Sequence, residues 1–177
     1  IGANAFKDLA ALTSVDIPNS VTNIGNAAFS GATSLTSLTI PDSVTVIGES
    51  AFKNTGLTSL TLGNSVTSIG NEAFYEATKD RSKLKTLTIP DSVTSIGDEV
   101  FKGVSTLTTV TLGNSVTSIG YGVFNGATNL ASVTIPDSVT SIGDYAFYGA
   151  TGLTGALVIP NSVISIGDSA FGGTSLT

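Results

Sequence analysis

The dipeptide Ile-Gly recurs at Ile1, Ile24, Ile47, Ile69, Ile96, Ile119, Ile142 and Ile166, in steps of 22 to 27 residues, and a phenylalanine stands five residues after each of these isoleucines. Phe6, Phe29, Phe52, Phe74, Phe101, Phe124, Phe147 and Phe171 are all the phenylalanines in the chain. A large apolar side chain confined to one phase of a repeat has a direct physical reading: successive units stack in register, and each ring lies on the rings of its neighbours. A unit of roughly 23 residues cannot bury an apolar face by itself. The expectation is therefore one array over residues 1–177, in eight phases of which the first and last are incomplete.

Within a unit, Leu35-Thr-Ser-Leu38-Thr-Ile40 has the β-branched content and period-two alternation of a short strand, with Leu38 and Ile40 facing inward. Because every turn of a solenoid travels the same way, these strands should run parallel and form one continuous sheet. Pro41 closes the strand, and all five prolines (Pro18, Pro41, Pro90, Pro136, Pro160) take that slot, where a missing N–H is tolerated. Asp or Asn followed by Ser comes next, as in Asp42-Ser43 and Asn64-Ser65. There a short side-chain oxygen can bond the backbone two residues on and fix a turn. Val44 and Ile47 return to the interior, Gly48 serves either a positive φ or a close backbone approach, and Ala51-Phe52 are expected on a single helical or 3₁₀ turn. A Gly-Ala-Thr turn, Gly31 to Thr33, leads to the next strand. The fold class expected is α/β: a strand-rich solenoid or horseshoe with a parallel sheet on one face and very short helical turns.

The unit Leu35-x-x-Leu38-x-Ile40-Pro41-Asp42-Ser43-Val44-x-x-Ile47-Gly48-x-x-Ala51-Phe52 resembles the BspA-like, or Treponema-type, class of leucine-rich repeat. The resemblance covers essentially the whole chain and implies a curved solenoid, secreted or held at a cell surface, used for adhesion or protein binding. It supplies no catalytic residues. Repeats of that class commonly carry Cys in a Gly-Cys-Thr segment where this chain has Ala32, Ala77, Val104, Ala127 or Ala150, residues suited to the same small buried role.

Composition narrows the chemistry. Seven basic against thirteen acidic side chains give a net charge of −6, a field that repels nucleic acid and anionic membrane. Cys, His, Met and Trp are all absent, which removes disulfides, thiolate and imidazole metal ligands and the commonest general base. No apolar run approaches the ~18 residues of a membrane span, so membrane insertion is not expected. No signal-peptide pattern opens the chain, and because Ile1 already falls inside a repeat that absence fits a fragment. Nucleotide and nucleophile motifs occur only as near misses: Gly120-Tyr121-Gly122 lacks a third glycine, and there is no Gly-x-Ser-x-Gly. Asp42, Asp91 and Asp137 alternate with Asn in the same phase and read as turn formers rather than Ca²⁺ ligands. Neither a metal nor a cofactor is expected.

The outward side of the strands is the first candidate surface. Strand alternation places Ser37/Thr39, Ser59/Thr61, Thr86/Thr88, Thr109/Thr111 and Ser132/Thr134 there in paired columns. Three readings fit: Thr serving β propensity on a wet face, a face that binds a protein or glycan, and an ice-binding ladder, which the curvature implied by the resemblance disfavours. The second candidate is the insertion Lys79-Asp-Arg81-Ser-Lys83-Leu-Lys85. It adds four residues between the Phe74 turn and the next strand and reads as a solvated indel or as a recognition loop carrying Lys79, Arg81 and Lys83. Among the tyrosines, Tyr121 and Tyr145 should be partly exposed. Two functions from different classes result: an extracellular binding module with a protein or glycan partner, and a structural subunit. In the second, ends lacking polar caps, Ile1-Gly2 and Ser175-Leu176-Thr177, would stack end to end into a filament.

Overall fold

The computed structural model describes residues 1–77 and 84–177. The chain winds as a parallel β-solenoid, and hydrogen bonds join successive coils on three sides.

The first side holds the predicted strands: β2 (Ser37–Thr39), β4 (Ser59–Thr61), β6 (Thr86–Thr88), β8 (Thr109–Thr111), β10 (Ser132–Thr134), β12 (Thr154–Gly155) and β14 (Ser175–Leu176). All pair in parallel, with Leu38 opposite Leu60 and Leu87 opposite Val110 opposite Val133. The expected single sheet is divided into β2-β4, β6-β8-β10 and β12-β14. The first division falls at the sequence insertion between β4 and β6. The second coincides with one extra residue in the stretch Leu153 to Ile159, where Gly155 adopts φ 75°. An added residue moves every later side chain to the other face unless the strand bulges.

The second side was not foreseen. The residue before each Ile-Gly isoleucine and the isoleucine itself form two-residue strands: β1 (Asn23–Ile24), β3 (Val46–Ile47), β5 (Ser68–Ile69), β7 (Ser95–Ile96), β9 (Ser118–Ile119), β11 (Ser141–Ile142) and β13 (Ser165–Ile166). They pair as β1-β3-β5-β7 and β9-β11-β13, isoleucine opposite isoleucine. Gly48 follows such a strand, and a Cβ there would lie 2.7 Å from the backbone N of Asn26 and 2.8 Å from the carbonyl carbon of Gly25. Close backbone approach, rather than positive φ, is its role.

The third side corrects one part of the expectation, the short helical turns: among the described residues there is no helix, while the strand-rich parallel solenoid is as expected. From Gly25 to Ala32, alternate N–H groups close tight turns, Ala28 donating to Gly25 (3.2 Å), Ser30 to Ala27 (3.2 Å) and Ala32 to Phe29 (3.1 Å). The intervening N–H groups donate to the next coil instead, Ala27 to Glu49 (2.8 Å), Phe29 to Ala51 (2.7 Å) and Gly31 to Lys53 (2.8 Å). A 3₁₀ helix would spend every N–H within its own turn. Here left-handed residues at Ala27 (φ 52°) and Gly31 (φ 78°) reverse the twist and turn alternate donors outward.

The interior follows the sequence. Leu35, Leu38, Ile40, Val44, Ile47, Ala51 and Phe52 of one coil are buried. All eight phenylalanine rings form an unbroken stack with centroids 4.9 to 5.7 Å apart and neighbouring planes within 17° of parallel. Ala32, Ala77, Val104, Ala127 and Ala150 are buried beside it, as expected. Thr55 occupies the same phase and remains satisfied because its hydroxyl donates to the Phe52 carbonyl at 2.9 Å.

The Asp/Asn turn residues act differently from the local turn expected of them. Asp42 Oδ1 accepts from the N–H of Asn64 (2.6 Å) and Asp91 Oδ1 from that of Asn114 (2.7 Å), both one coil further on. Asn26, Asn71, Asp98 and Asp144 do the same after the Ile-Gly glycine. These short side chains tie coils together.

Candidate functional site

Each three-residue strand of the first side buries or half-buries its middle residue and exposes the two that flank it. All ten predicted hydroxyl residues are exposed: Ser37, Thr39, Ser59, Thr61, Thr86, Thr88, Thr109, Thr111, Ser132 and Thr134. Parallel register sets like beside like, Ser37 next to Ser59 and Thr39 next to Thr61 on one patch. Thr86, Thr109 and Ser132 form one row of a second patch, with Thr88, Thr111 and Thr134 in the other. Neighbours in a row are about 4.8 Å apart, the strand spacing. Lys79, Arg81 and Lys83, the other predicted site residues, lie outside the described residues.

Two kinds of hydroxyl stand side by side on this chain. In the column that precedes the Ile-Gly strands, Thr45 donates to the Thr22 carbonyl (3.2 Å), Thr67 to Thr45 (3.1 Å), Thr117 to Thr94 (3.4 Å) and Thr140 to Thr117 (3.1 Å). Ser43, Ser92 and Ser138 likewise donate to carbonyls of the preceding coil, each at 2.7 Å. None of the ten sheet-face hydroxyls has a hydrogen-bond partner among the described residues. A partner that bonds them breaks no internal bond in doing so, and exchanges only water. Along the β6-β8-β10 patch the surface dips into a recess of about 550 Å³ bordered by Thr88, Asp91, Thr111, Asn114 and Thr134.

The third side, the ladder of tight turns, carries two ion pairs and the tyrosines. Lys53 Nζ reaches Glu72 Oε2 at 2.6 Å, and Lys102 Nζ reaches Glu99 Oε1 at 2.7 Å. Both ammonium groups also lie over the ring of Tyr75, 4.5 and 5.6 Å from its centroid. The hydrogen bond from Lys53 holds the Glu72 carboxyl below its ordinary range against the opposing effect of burial, and the bond to Glu99 raises the Lys102 ammonium. Tyr121 and Tyr145 are exposed as expected, and so is Tyr148. Among the described residues no group of three or more His, Cys, Asp or Glu could hold a metal ion, and no helix is long and apolar enough to cross a membrane.

Coils of 22 to 27 residues, phenylalanines stacked in one phase and an Ile-Gly turn are the pattern of a known repeat. A family model described as the BspA-type leucine-rich repeat region matches residues 1–82 and 77–177, in six copies. The chain belongs to the BspA-type leucine-rich repeat family. Among solved structures, this BspA-type array is similar to a leucine-rich repeat protein of Bacteroides ovatus, with 35% identity and a TM-score of 0.89 over the whole chain; it spans 45% of that protein. A leucine-rich cell surface protein of Faecalibacterium prausnitzii is 28% identical with a TM-score of 0.53, all of this chain covering 63% of it. A leucine-rich repeat protein of Treponema pallidum, 21% identical over 88% of this chain and 73% of its own with a TM-score of 0.56, shares the fold. No curated protein matches the sequence.

The sequence located the exposed face correctly but missed two features of this array. The second parallel ladder was signalled by the β-branched Val-Thr-x-Ile segment, which alternation over so short a stretch does not separate from a turn. The split between bonded and unbonded threonines has no signal in residue type, because Thr45 and Thr39 differ only in whether a carbonyl of the previous coil lies within reach.

Proposed function

We propose that this BspA-type array is a non-catalytic binding module that presents its Ser/Thr face to a protein or glycan partner, at a cell surface or outside the cell. The observation that carries the reading is the division of hydroxyls. The columns beside the Ile-Gly strands spend theirs on carbonyls of the preceding coil, while the ten on the strand face keep theirs for solvent. A row of hydroxyls that both donate and accept, on a rigid parallel sheet, matches ligands rich in amides or in sugar hydroxyls, and the recess beside Thr111 gives such a ligand a place to lose water. The family is commonly used for binding, and the similar Faecalibacterium structure is described as a cell surface protein; both support the placement.

The test is saturable binding on panels of matrix proteins and of glycans, compared between the native chain, Thr111→Arg and Ser30→Arg. Loss of binding with Thr111→Arg, while Ser30→Arg on the turn ladder binds normally, is the expected result. Binding indifferent to Thr111→Arg, with the variant folded, sinks the reading.

A further inference from the structure

Tyr121, Tyr145 and Tyr148 form one exposed aromatic cluster on the turn-ladder side, away from the strand face. The rings of Tyr121 and Tyr145 meet edge to face at 5.8 Å and 68°, and those of Tyr145 and Tyr148 at 5.4 Å and 71°. Their exposures are 43%, 36% and 44%. Burial therefore does not account for three aromatic residues here.

Tyr145 also stands where an aromatic residue is poorly suited. Its φ is 56°, in the left-handed region, as in this phase of every coil: Asn4, Ala27, Ser50, Glu72, Glu99 and Ser169, with glycine at Gly122. The coil geometry imposes this conformation, and Tyr145 is the one aromatic side chain set in it.

The chain contains its own occupied version of the arrangement. Tyr75 and Tyr148 each lie six residues after an Ile-Gly isoleucine, Ile69 and Ile142. The residues in that phase on either side of Tyr75 are Lys53 and Lys102, whose ammonium groups lie over its ring. On either side of Tyr148 the phase holds Asn125 and Gly172, so neither neighbour brings a cation. Gly172 keeps the ring uncovered: a Cβ there would come 3.0 Å from Tyr148 Cδ2.

Charge completes the description. From residue 103 to 177 the chain has no Lys or Arg, while Asp137, Asp144 and Asp168 are acidic. Asp144 commits only Oδ1, to the N–H of Asp168 at 2.8 Å. Lys102, the last cation before this region, is held by Glu99 at 2.7 Å.

We infer that the Tyr121–Tyr145–Tyr148 cluster is a docking surface for lysine or arginine side chains of a cationic protein segment, which would take the places over the rings that Lys53 and Lys102 fill at Tyr75. A cation within about 6 Å of a ring centroid is attracted by the negative face of the ring, and the uncompensated carboxylates add to the attraction. This surface is separate from the Ser/Thr face and does not rest on the reading given to it.

The full chain, with its tyrosine rings followed by NMR, is titrated with a short peptide carrying two arginines in Gly-Ser flanks, and with the same peptide carrying citrulline. The arginine peptide is expected to shift the Tyr121, Tyr145 and Tyr148 resonances saturably, and citrulline to weaken binding about fivefold or more. Tyr121→Ala/Tyr148→Ala weakens it comparably without altering the net charge, and Tyr121→Phe/Tyr148→Phe retains it. Equal binding of the two peptides shows that the cation is not what is recognised, and an unaffected alanine double variant reduces the effect to general attraction by an acidic chain; either result overturns the proposal. Saturation of the ring shifts by a neutral oligosaccharide, with none by the arginine peptide, overturns it in favour of a sugar site.

Discussion

The ring of Phe74 lies 5.4 Å from that of Phe101, with planes 5° apart, although 27 residues separate them and 22 or 23 separate most other neighbours in the stack. The insertion between β4 and β6 interrupts the strand ladder and leaves the phenylalanine column undisturbed. Register is thus held from the inside. Phe74→Ala is expected to cost about 3–5 kcal/mol, since it opens a cavity between two stacked rings. Phe6, 37% exposed, should cost clearly less on the same change. Urea unfolding of both variants checks the order, and equal losses would show that the stack does not set stability.

Backbone conformation predicts opposite signs for two neighbouring substitutions. Ala27 holds φ 52°, so Ala27→Gly relieves roughly 1–2 kcal/mol of left-handed strain against an entropic loss of about 0.5–1 kcal/mol. A gain of up to about 1 kcal/mol should appear as a raised Tm. Gly48→Ala instead drives a Cβ to 2.7 Å from the Asn26 nitrogen, and because that contact is backbone, a loss of several kcal/mol or failure to fold is expected.

Ile164 occupies the phase of the bonded threonines and is 87% exposed. Its N–H already donates to the Thr140 carbonyl at 2.8 Å, as the backbones of its counterparts do. Ile164→Thr should extend the hydroxyl ladder by one bond, raise stability by up to about 1 kcal/mol and reduce binding of a hydrophobic dye. A drop in Tm would show that the exposed isoleucine packs in a way its position does not indicate.

The Lys53–Glu72 pair has a signed pH dependence. Because the Lys53 bond lowers the folded carboxyl below its ordinary value of 4.5, its contribution is complete at neutral pH and lost as the pH falls through the lowered folded value. The Tm difference between the native chain and Glu72→Gln should therefore be largest near pH 7 and vanish in acid. Lys102 is raised, so its contribution holds below its ordinary 10.5 and disappears as the pH climbs past the folded value. Each effect is modest, since both pairs are partly solvated.

Much of this was legible in the residues because a repeat turns position into phase. Phe29 alone says nothing, but eight phenylalanines in one phase define an interior, and Leu38 between Ser37 and Thr39 defines an inside and an outside. What was not legible depends on the neighbouring coil. The turn at Ala28 to Ala32 has the i to i−3 bonds of the expected 3₁₀ helix, yet Phe29 donates to Ala51, an acceptor 22 residues away that local propensity does not register. Asp42 looks like a local turn former for the same reason, while its partner is Asn64. The exposed tyrosine cluster was half visible: Tyr121 and Tyr145 read as exposed, but their convergence with Tyr148 required the stacking itself.

Hydrogen bonding on all three sides has a consequence for how such a molecule can change in length. Within an unbroken stretch of ladder each coil bonds to the coils directly before and after it, so a further copy inserted there finds the same donors and acceptors its neighbours found. Duplication of a segment in the gene would then lengthen the rod without redesigning any junction. The extent of the outer face, and the number of contacts a partner makes along it, becomes a quantity that recombination can set.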